Sequence, residues 1–450
     1  MGKRIYPRGL RAAIEGGTVH DRSTEGDRSR GDCDALGVMD AEKSVFIATQ
    51  AYVPDSAAAG QYMAEVAEAM AGRGWRVTVV APERGYNEPG RRTTGAEECP
   101  AGLSIHRVGG PPVRKENLSG RLCSMIVFSL RAAMQALFHR RPCGMLVSSS
   151  PPMLPVFMMT IARLRRIPLV YWVMDLNPDQ AIESGMVSAN AWSTRMLAAS
   201  QRWVLGHAAV VIVLDRFMEN RVRKYAKHPR RLEVLPLWPL EKAGNREESA
   251  AIRERHGWSN HFVVMYSGNH SPVHPLDTML DAARNLRNDA RFKFVFVGGG
   301  LAKAAIEQTK VRENLEHVIV LASQPLGELH AMLGAADVQI VSMGEKMSGC
   351  VHPSKVYNIL TAGRPFVLLG SPSNSVSDLL ERHGCGWRIA HGDSDGFVRM
   401  LCRLASAEGH RELEEKRLAA ARVYCDDGAV EAARNEWLDV VLSAMGGTGS

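Results

Sequence analysis

Cysteine is sparse and unpatterned in this sequence. Eight cysteines, at positions 33, 99, 123, 143, 350, 385, 402 and 425, are spread over 450 residues without one C-x-x-C pair. That argues against a zinc site and a disulfide framework, and points to reduced thiols in a cytoplasmic protein. Long apolar runs are missing as well. None approaches the roughly 18–20 uncharged residues that cross a bilayer, and no apolar core follows the basic residues of the N-terminus as a signal peptide requires. The dinucleotide fingerprint G-x-G-x-x-G is absent, which counts against an oxidoreductase. The formal net charge is +7 and the pI about 9.0, which suits an anionic partner such as a nucleotide or a phospholipid surface. No lysine-rich tail or aromatic-basic module accompanies that charge, so nucleic acid is not expected.

What is present describes a soluble globular chain, with 45% hydrophobic and 23% charged residues and length for two domains. Residues 1–43 are rich in Gly, Arg, Asp and Ser and are expected to be disordered. Met39 lies just before the first apolar run, so the segment ahead of it is also readable as a start-site artefact. From Ser44 the chain alternates apolar runs with helical stretches: 44–49, a helix near 61–72, then 76–81. Strand, crossover helix and strand make a parallel right-handed unit, and continuous apolar runs suit a sheet covered on both faces. Gly60, ahead of the first helix, can bring backbone N–H groups to a ligand at the sheet's carboxyl edge.

Two helices, 118–139 and 153–167, carry basic residues beside Met, Phe and Leu. From 114 to 141 there are six Lys/Arg against the single acid Glu116. Such helices either lie on an anionic membrane or cover the sheet while exposing solvated charge. Residues 169–174 read as a central strand ending at Asp175, whose carboxylate would project into the ligand crevice and orient or activate a substrate hydroxyl. Asp179 reads as a helix cap. Residues 235–239 followed by the polar 241–249 read as the interdomain linker.

The second half restarts the pattern. Residues 262–268 form a strand ending in glycine, and 292–297 run into Gly298-Gly299-Gly300, a turn that permits close backbone approach without naming a ligand. His270 and His274 are spaced i, i+4, but Pro272 between them excludes a helical metal pair. Asp393 and Asp395 look like a metal-binding D-x-D, yet they precede a helix and cap it better. No metal site is expected. Residues 353–363 carry a helix signature, with Ser354 as N-cap, Lys355 in the first turn and Gly363 at the close. On its own that signature fits a capped surface helix or a phosphate site equally.

Taken in order, Tyr52-Val53-Pro54-Asp55 with Gly60-Gln61, Asp175-Leu176-Asn177-Pro178-Asp179, Ser267-Gly268-Asn269, Phe296 to Gly300 and Pro353-Ser354-Lys355 to Gly363-Arg364-Pro365 resemble the retaining glycosyltransferase family 4, over roughly residues 44–440. The nearest members are capsule, O-antigen and colanic-acid-type sugar transferases. The resemblance implies an α/β GT-B fold: two Rossmann-like parallel-sheet domains, 44–238 on the acceptor side and 239–420 on the nucleotide-sugar side, facing a central cleft. A C-terminal helix, 421–450, would pack back toward the first domain.

It further implies transfer of a hexose from a nucleotide-diphosphate sugar to a lipid-linked or glycan acceptor in cell-surface polysaccharide synthesis, at the cytoplasmic face of the inner membrane, with no cofactor or divalent ion. By position, Gly60, Gln61, Gly268, Asn269, Gly298, Ser354, Lys355 and Asn358 would bind the donor. Lys355 would neutralise the leaving diphosphate, with Asp175 as the other catalytic candidate. The family's acids around the proline are replaced by Ser348 and Asn358, with Glu345 nearby, and its usual arginine and lysine by the loop from Asn269 to His274. Those departures leave two alternatives, a nucleotide-sugar epimerase of the same fold and a binding subunit that has lost catalysis.

Overall fold

The computed structural model describes residues 43–55, 57–85, 99–110, 118–226, 229–240 and 245–446. The N-terminal extension and the start-site question lie outside them, as do Arg114, Lys115 and the middle of the linker. Two all-parallel sheets form the frame. The first takes β1 (Ser44–Ala48), β2 (Arg76–Pro82), β3 (Leu103–Val108), β4 (Gly144–Ser148), β5 (Leu169–Trp172), β6 (Val210–Val213) and β7 (Leu232–Val234) in the order β3-β2-β1-β4-β5-β6-β7. The second takes β8 (Phe262–Ser267), β9 (Phe292–Val297), β10 (Val318–Leu321), β11 (Val338–Ser342), β12 (Phe366–Leu369) and β13 (Gly386–Ile389) in the order β10-β9-β8-β11-β12-β13.

In each sheet the chain winds outward one way, then returns to the centre and winds the other way. The reversal lies between β1 and β4 in the first sheet and between β8 and β11 in the second. At such a point neighbouring crossover helices lie on opposite faces, leaving a crevice at the carboxyl ends of the strands.

The unbroken apolar runs are explained by where alternate residues go. Val45 and Ile47 enter one core while Phe46 and Ala48 enter another, and Val264 and Tyr266 part from Val263 and Met265 in the same way. A strand buried on both faces has no polar side to show.

Several sequence expectations change in detail. Residues 246–249 belong to a helix, Arg246–Arg255, capped by the Asn245 side chain on Glu247 N–H, so the polar stretch is not all linker. The apolar half of that stretch is not loose: Leu235, Leu237 and Trp238 are buried. Ser354 occupies the N-cap position of the helix Lys355–Thr361, but with helical angles and no side-chain cap bond. The close of that helix is as expected. Gly363 adopts φ +62°, its N–H bonds the Leu360 carbonyl and Arg364 N–H bonds that of Ile359, the paired geometry of a Schellman ending. Asp393 caps the helix Ser394–Leu404 through Gly396 N–H, in line with the structural reading of D-x-D.

The final helix, Asp427–Ala444, returns to the first sheet. Trp437 packs 4.4 Å from Trp172 and joins Trp238 and Tyr62 in one aromatic cluster. Arg434 meets Glu65, and Arg73 meets Asp439. Gly144 lies against Met445 where a Cβ would collide with its side chain.

Candidate functional site

The crevice of the second sheet gathers residues from three carboxyl strand ends. Gly268, after β8, holds φ +145°, and Gly298, after β9, holds φ +134°, both outside the range of ordinary side chains. A Cβ on Gly298 would meet the Gly268 carbonyl, and one on Gly300 would meet Asn269 and His270. The glycine triplet therefore lets two strand-end loops touch. Lys355, from the helix after β11, reaches into the same place, and a Cβ on Gly268 would stand 2.7 Å from Nζ. Its ammonium lies over the Tyr266 ring, 3.6 Å from the centroid, in a cation–π contact. The Tyr266 hydroxyl is fixed by the Asn269 carbonyl at 2.7 Å.

Nζ is buried and has no hydrogen-bond partner among the described residues. Burial pulls its pKa down to about 7. A desolvated cation with only an aromatic face for company is poised for an anion. The loop that stands where the family has a second cation pair supplies none. His270 is buried with both ring nitrogens unpartnered and is held down to about 4 by burial, then by Lys355 and Lys303. His274 faces the Ser342 carbonyl at 2.6 Å and is held down to about 3, again chiefly by burial. Both are neutral near pH 7, so this loop adds no positive charge to those of Lys355 and Lys303.

Asp175 comes from the other sheet. It follows β5, and its backbone N–H and that of Met174 both donate to Ser149 Oγ at the end of β4, at 3.0 and 3.1 Å. Burial pushes its carboxyl up to about 6, with His352 acting in the opposite direction. The two halves are joined by backbone. Asp175 forms an isolated antiparallel bridge with Val351, and Leu176 N–H donates to the Cys350 carbonyl at 2.7 Å. The residue that would handle a hydroxyl is thereby tied to the loop that leads into Lys355.

The other candidates are distributed around this core. Asn358 lies one turn beyond Lys355, and its Oδ1 is buried without a hydrogen-bond partner among the described residues. Ser354 keeps its hydroxyl free of capping duty. The atoms nearest Gly60 belong to Ala51 and Tyr52, where a Cβ would come within 2.8 Å of backbone, so close packing alone already requires glycine there. Gln61 follows it in the first turn of the same helix. Ser348 bonds the Ser373 carbonyl at 2.7 Å, and Glu345 is exposed three residues away. Among the described residues no group of three or more His, Cys, Asp or Glu is arranged to hold a metal. Asp179 does not cap its helix, whose N-cap is Pro178. It instead receives Tyr225 Oη and Arg221 from the helix Arg216–Tyr225.

Comparison with known proteins agrees with this layout. Residues 57–238 match the family described as Glycosyl transferase 4-like domain, and residues 261–407 match Glycosyl transferases group 1. The chain belongs to the GT-B glycosyltransferases. It is 23% identical over 297 residues to the probable glycosyltransferase WbjE of Pseudomonas aeruginosa, covering 65% of this chain and 73% of that one. It is likewise 23% identical over 230 residues to the putative colanic acid biosynthesis glycosyl transferase WcaI of Escherichia coli K12, covering 50% and 56%. Among solved structures, Anabaena HepE in complex with UDP and glucose shares the fold at TM-score 0.66 and 14% identity, over 89% of this chain and all of that one. WaaG, a glycosyltransferase involved in lipopolysaccharide biosynthesis, shares it at TM-score 0.64 and 15% identity, over 88% and 99%.

Four contributors to the site of this glycosyltransferase escape sequence reading: Tyr266, Ser149, Asp215 and His352. Asp215 had a usable signal, since it ends a parallel strand as Asp175 does. Tyr266 had none, because a tyrosine inside an apolar strand looks like core.

Proposed function

We propose that this glycosyltransferase is a retaining hexosyltransferase, moving a sugar from a uridine-diphosphate donor to a lipid-linked or glycan acceptor of cell-surface polysaccharide. The observation that carries the reading is the unpartnered Lys355 ammonium, pressed between Gly268 and the Tyr266 face in the second crevice and joined by backbone to Asp175. As the sugar C1–O bond breaks, charge grows on the diphosphate, and a fixed cation there stabilises the transition state more than the ground state. The acceptor oxygen bonds to C1 on the face the diphosphate leaves while its proton passes to the departing diphosphate oxygen, and Asp175, largely ionised near pH 7, orients the attacking hydroxyl. With Lys355 in place the leaving group needs no divalent ion. Support for a uridine donor comes from HepE, whose structure holds UDP and glucose, and support for the acceptor class from WaaG and WcaI.

The test is nucleotide release from a panel of UDP-, GDP- and ADP-hexoses in the presence of EDTA, with the anomer of the product read by NMR. Release of UDP with retained configuration is the expected result. Nucleotide binding without release from any donor would instead make the chain a binding subunit.

Binding should also be linked to protons. Lys355 at about 7 is mostly neutral at pH 8, and a diphosphate against it draws the proton back. Calorimetry of UDP-glucose binding at pH 8 in buffers of different ionisation enthalpy is expected to show uptake of close to one proton, falling toward none at pH 6. Equal uptake at both pH values would contradict the assignment.

We further propose attachment at the periphery of the cytoplasmic membrane face. No helix among the described residues is long and apolar enough to cross a bilayer. The helix Leu118–Phe138 instead exposes Leu122, Ile126, Leu130, Met134 and Phe138, one residue every four and thus one stripe, with Phe138 78% exposed. Exposed Arg140, Arg141, Arg163 and Arg166 follow this helix and end its neighbour, as expected for a face meeting anionic lipid. Flotation with phosphatidylglycerol vesicles should carry the protein at low salt, and the triple change of Leu130, Met134 and Phe138 to glutamine should leave it behind. Flotation unaffected by those changes would reject this surface.

A further inference from the structure

Among the described residues, the contact between the two domains contains a buried histidine side chain that is bonded to both. His352 stands three residues before Lys355 and directly after Val351, the bridge partner of Asp175. Its side chain is 6% exposed. Nδ1 lies 2.9 Å from Asp215 Oδ2, in the first domain, and Nε2 lies 2.8 Å from Tyr357 Oη, in the second. Ser375 Oγ is a further 3.3 Å neighbour of Nδ1. The Asp215 carboxylate can only accept, so Nδ1 carries the hydrogen, which in the neutral ring leaves Nε2 to accept from the tyrosine hydroxyl.

Asp215 is itself fixed. Its Oδ1 caps the helix Arg216–Tyr225 by accepting from Phe217 and Met218 N–H at 2.9 and 2.8 Å. Burial pushes its carboxyl up, but its electrostatic and hydrogen-bond interactions with His352, the Met218 N–H and Ser375 together outweigh burial and hold it below the usual range.

The surrounding contacts are of the same kind. Gly349 holds φ +72°, with a Cβ position 2.5 Å from the Phe217 carbonyl, so the loop approaches that helix as closely as only glycine allows. Arg221 donates to the Ser348 and Lys346 carbonyls at 2.8 and 2.9 Å. Those bonds fix the loop backbone upstream. His352 alone among them links Asp215, at a strand end of the acceptor-side domain, to a side chain of the Lys355 helix.

We propose that His352 is a positioning residue for sugar transfer: through Nδ1 and Asp215 it sets the separation of Asp175 and Lys355 across the cleft. The inference rests on the transferase reading above. Most donor-binding candidates, Lys355 and the glycine loops among them, lie in the second domain, so a loosened junction affects the transfer step far more than donor affinity.

The test uses two isosteric probes. In His352→Asn the amide nitrogen falls where Nδ1 was, keeping the Asp215 link and losing Tyr357. In His352→Gln the amide falls where Nε2 was, its oxygen accepting from Tyr357 Oη, which keeps Tyr357 and loses Asp215. The expected result is a fall in kcat of about 100-fold for the glutamine variant, as for an ångström-scale misplacement of reacting groups. The asparagine variant should recover at least a tenth of wild-type kcat, and both should remain folded at the assay temperature and keep the wild-type UDP dissociation constant.

Wild-type kcat in the glutamine variant, equal losses in both variants, or a loss of UDP affinity matching the loss of rate would each overturn the proposal. A wild-type protein that binds UDP and releases none from any donor would fail the transferase reading instead. The wild-type rate, measured in the same experiment, separates the two failures.

Discussion

Lys355→Ala is expected to reduce kcat/KM by about 10²–10³-fold, the range found when one preorganised charge at a developing anion is removed. The protein should stay folded, because nothing hydrogen-bonds to Nζ and the helix Lys355–Thr361 is held by Val356, Tyr357, Ile359 and Leu360 beneath it. Lys355→Arg should not rescue. Gly268 and the Tyr266 face already crowd the ammonium at 2.7 and 3.6 Å, leaving no width for a planar guanidinium.

Lys355→Met carries a second expectation, for stability. Burial brings Lys355 from 10.5 to about 7, so between those values the unfolded chain binds more protons than the folded one. Wild-type stability gained through this residue therefore rises with pH across that window and is least below pH 7. The methionine variant lacks the effect and should melt higher than wild type at pH 6.5, with the difference shrinking toward pH 10. A methionine variant that melts lower at pH 6.5, or Lys355→Ala that turns over normally, would remove Lys355 from the site.

Trp437→Ala is expected to cost about 3–5 kcal/mol, as for large aromatic truncations in packed cores. Trp437 is 1% exposed and lies 4.4 Å from Trp172, the last residue of the strand that leads to Asp175. Loss of that ring opens a cavity behind β5 and loosens the final helix, whose outer anchors, Arg73 with Asp439 and Arg434 with Glu65, are partly solvated pairs of about 0–1 kcal/mol each. Chemical denaturation should show a lower midpoint. The same change should lower kcat more than UDP affinity, since the disturbed strand carries Asp175 and not the donor crevice. Unchanged denaturation would mean that the final helix is not part of the first domain's core.

The parts legible in the sequence share one property: their signal is local. Val263 to Tyr266 reads as a buried strand because both faces are covered, and Gly363 reads as a helix ending because the left-handed turn there favours glycine. Gly268 ends such a strand, and the family resemblance puts it on the ligand side. Signals failed where local pattern and tertiary role diverge. The polar run 246–249 resembles linker, yet its residues start a helix packed at its buried side through Ser249 and Ile252. Ser354 has the chemistry of a cap but lies in helical backbone, so its oxygen cannot reach the N–H groups of the first turn. β7 and β13 are short edge strands with half-buried residues, too weakly patterned to separate from loop.

By itself the sequence determined two parallel-sheet domains, the order of their elements, and the crevice residues Gly268, Gly298 and Lys355 with Asp175 opposite. The domains and Asp175 follow from strand periodicity, chain order and the rule that ligands gather at carboxyl strand ends, and Gly268, Gly298 and Lys355 from the family resemblance. Only the tertiary structure decided that Lys355 is unpartnered and desolvated, that the histidine loop supplies no second charge, and that Asp215, His352 and Tyr357 form one line across the domain contact. A charge environment depends on what lies within a few ångströms in space, and Asp215 and His352 are separated by 137 positions along the chain.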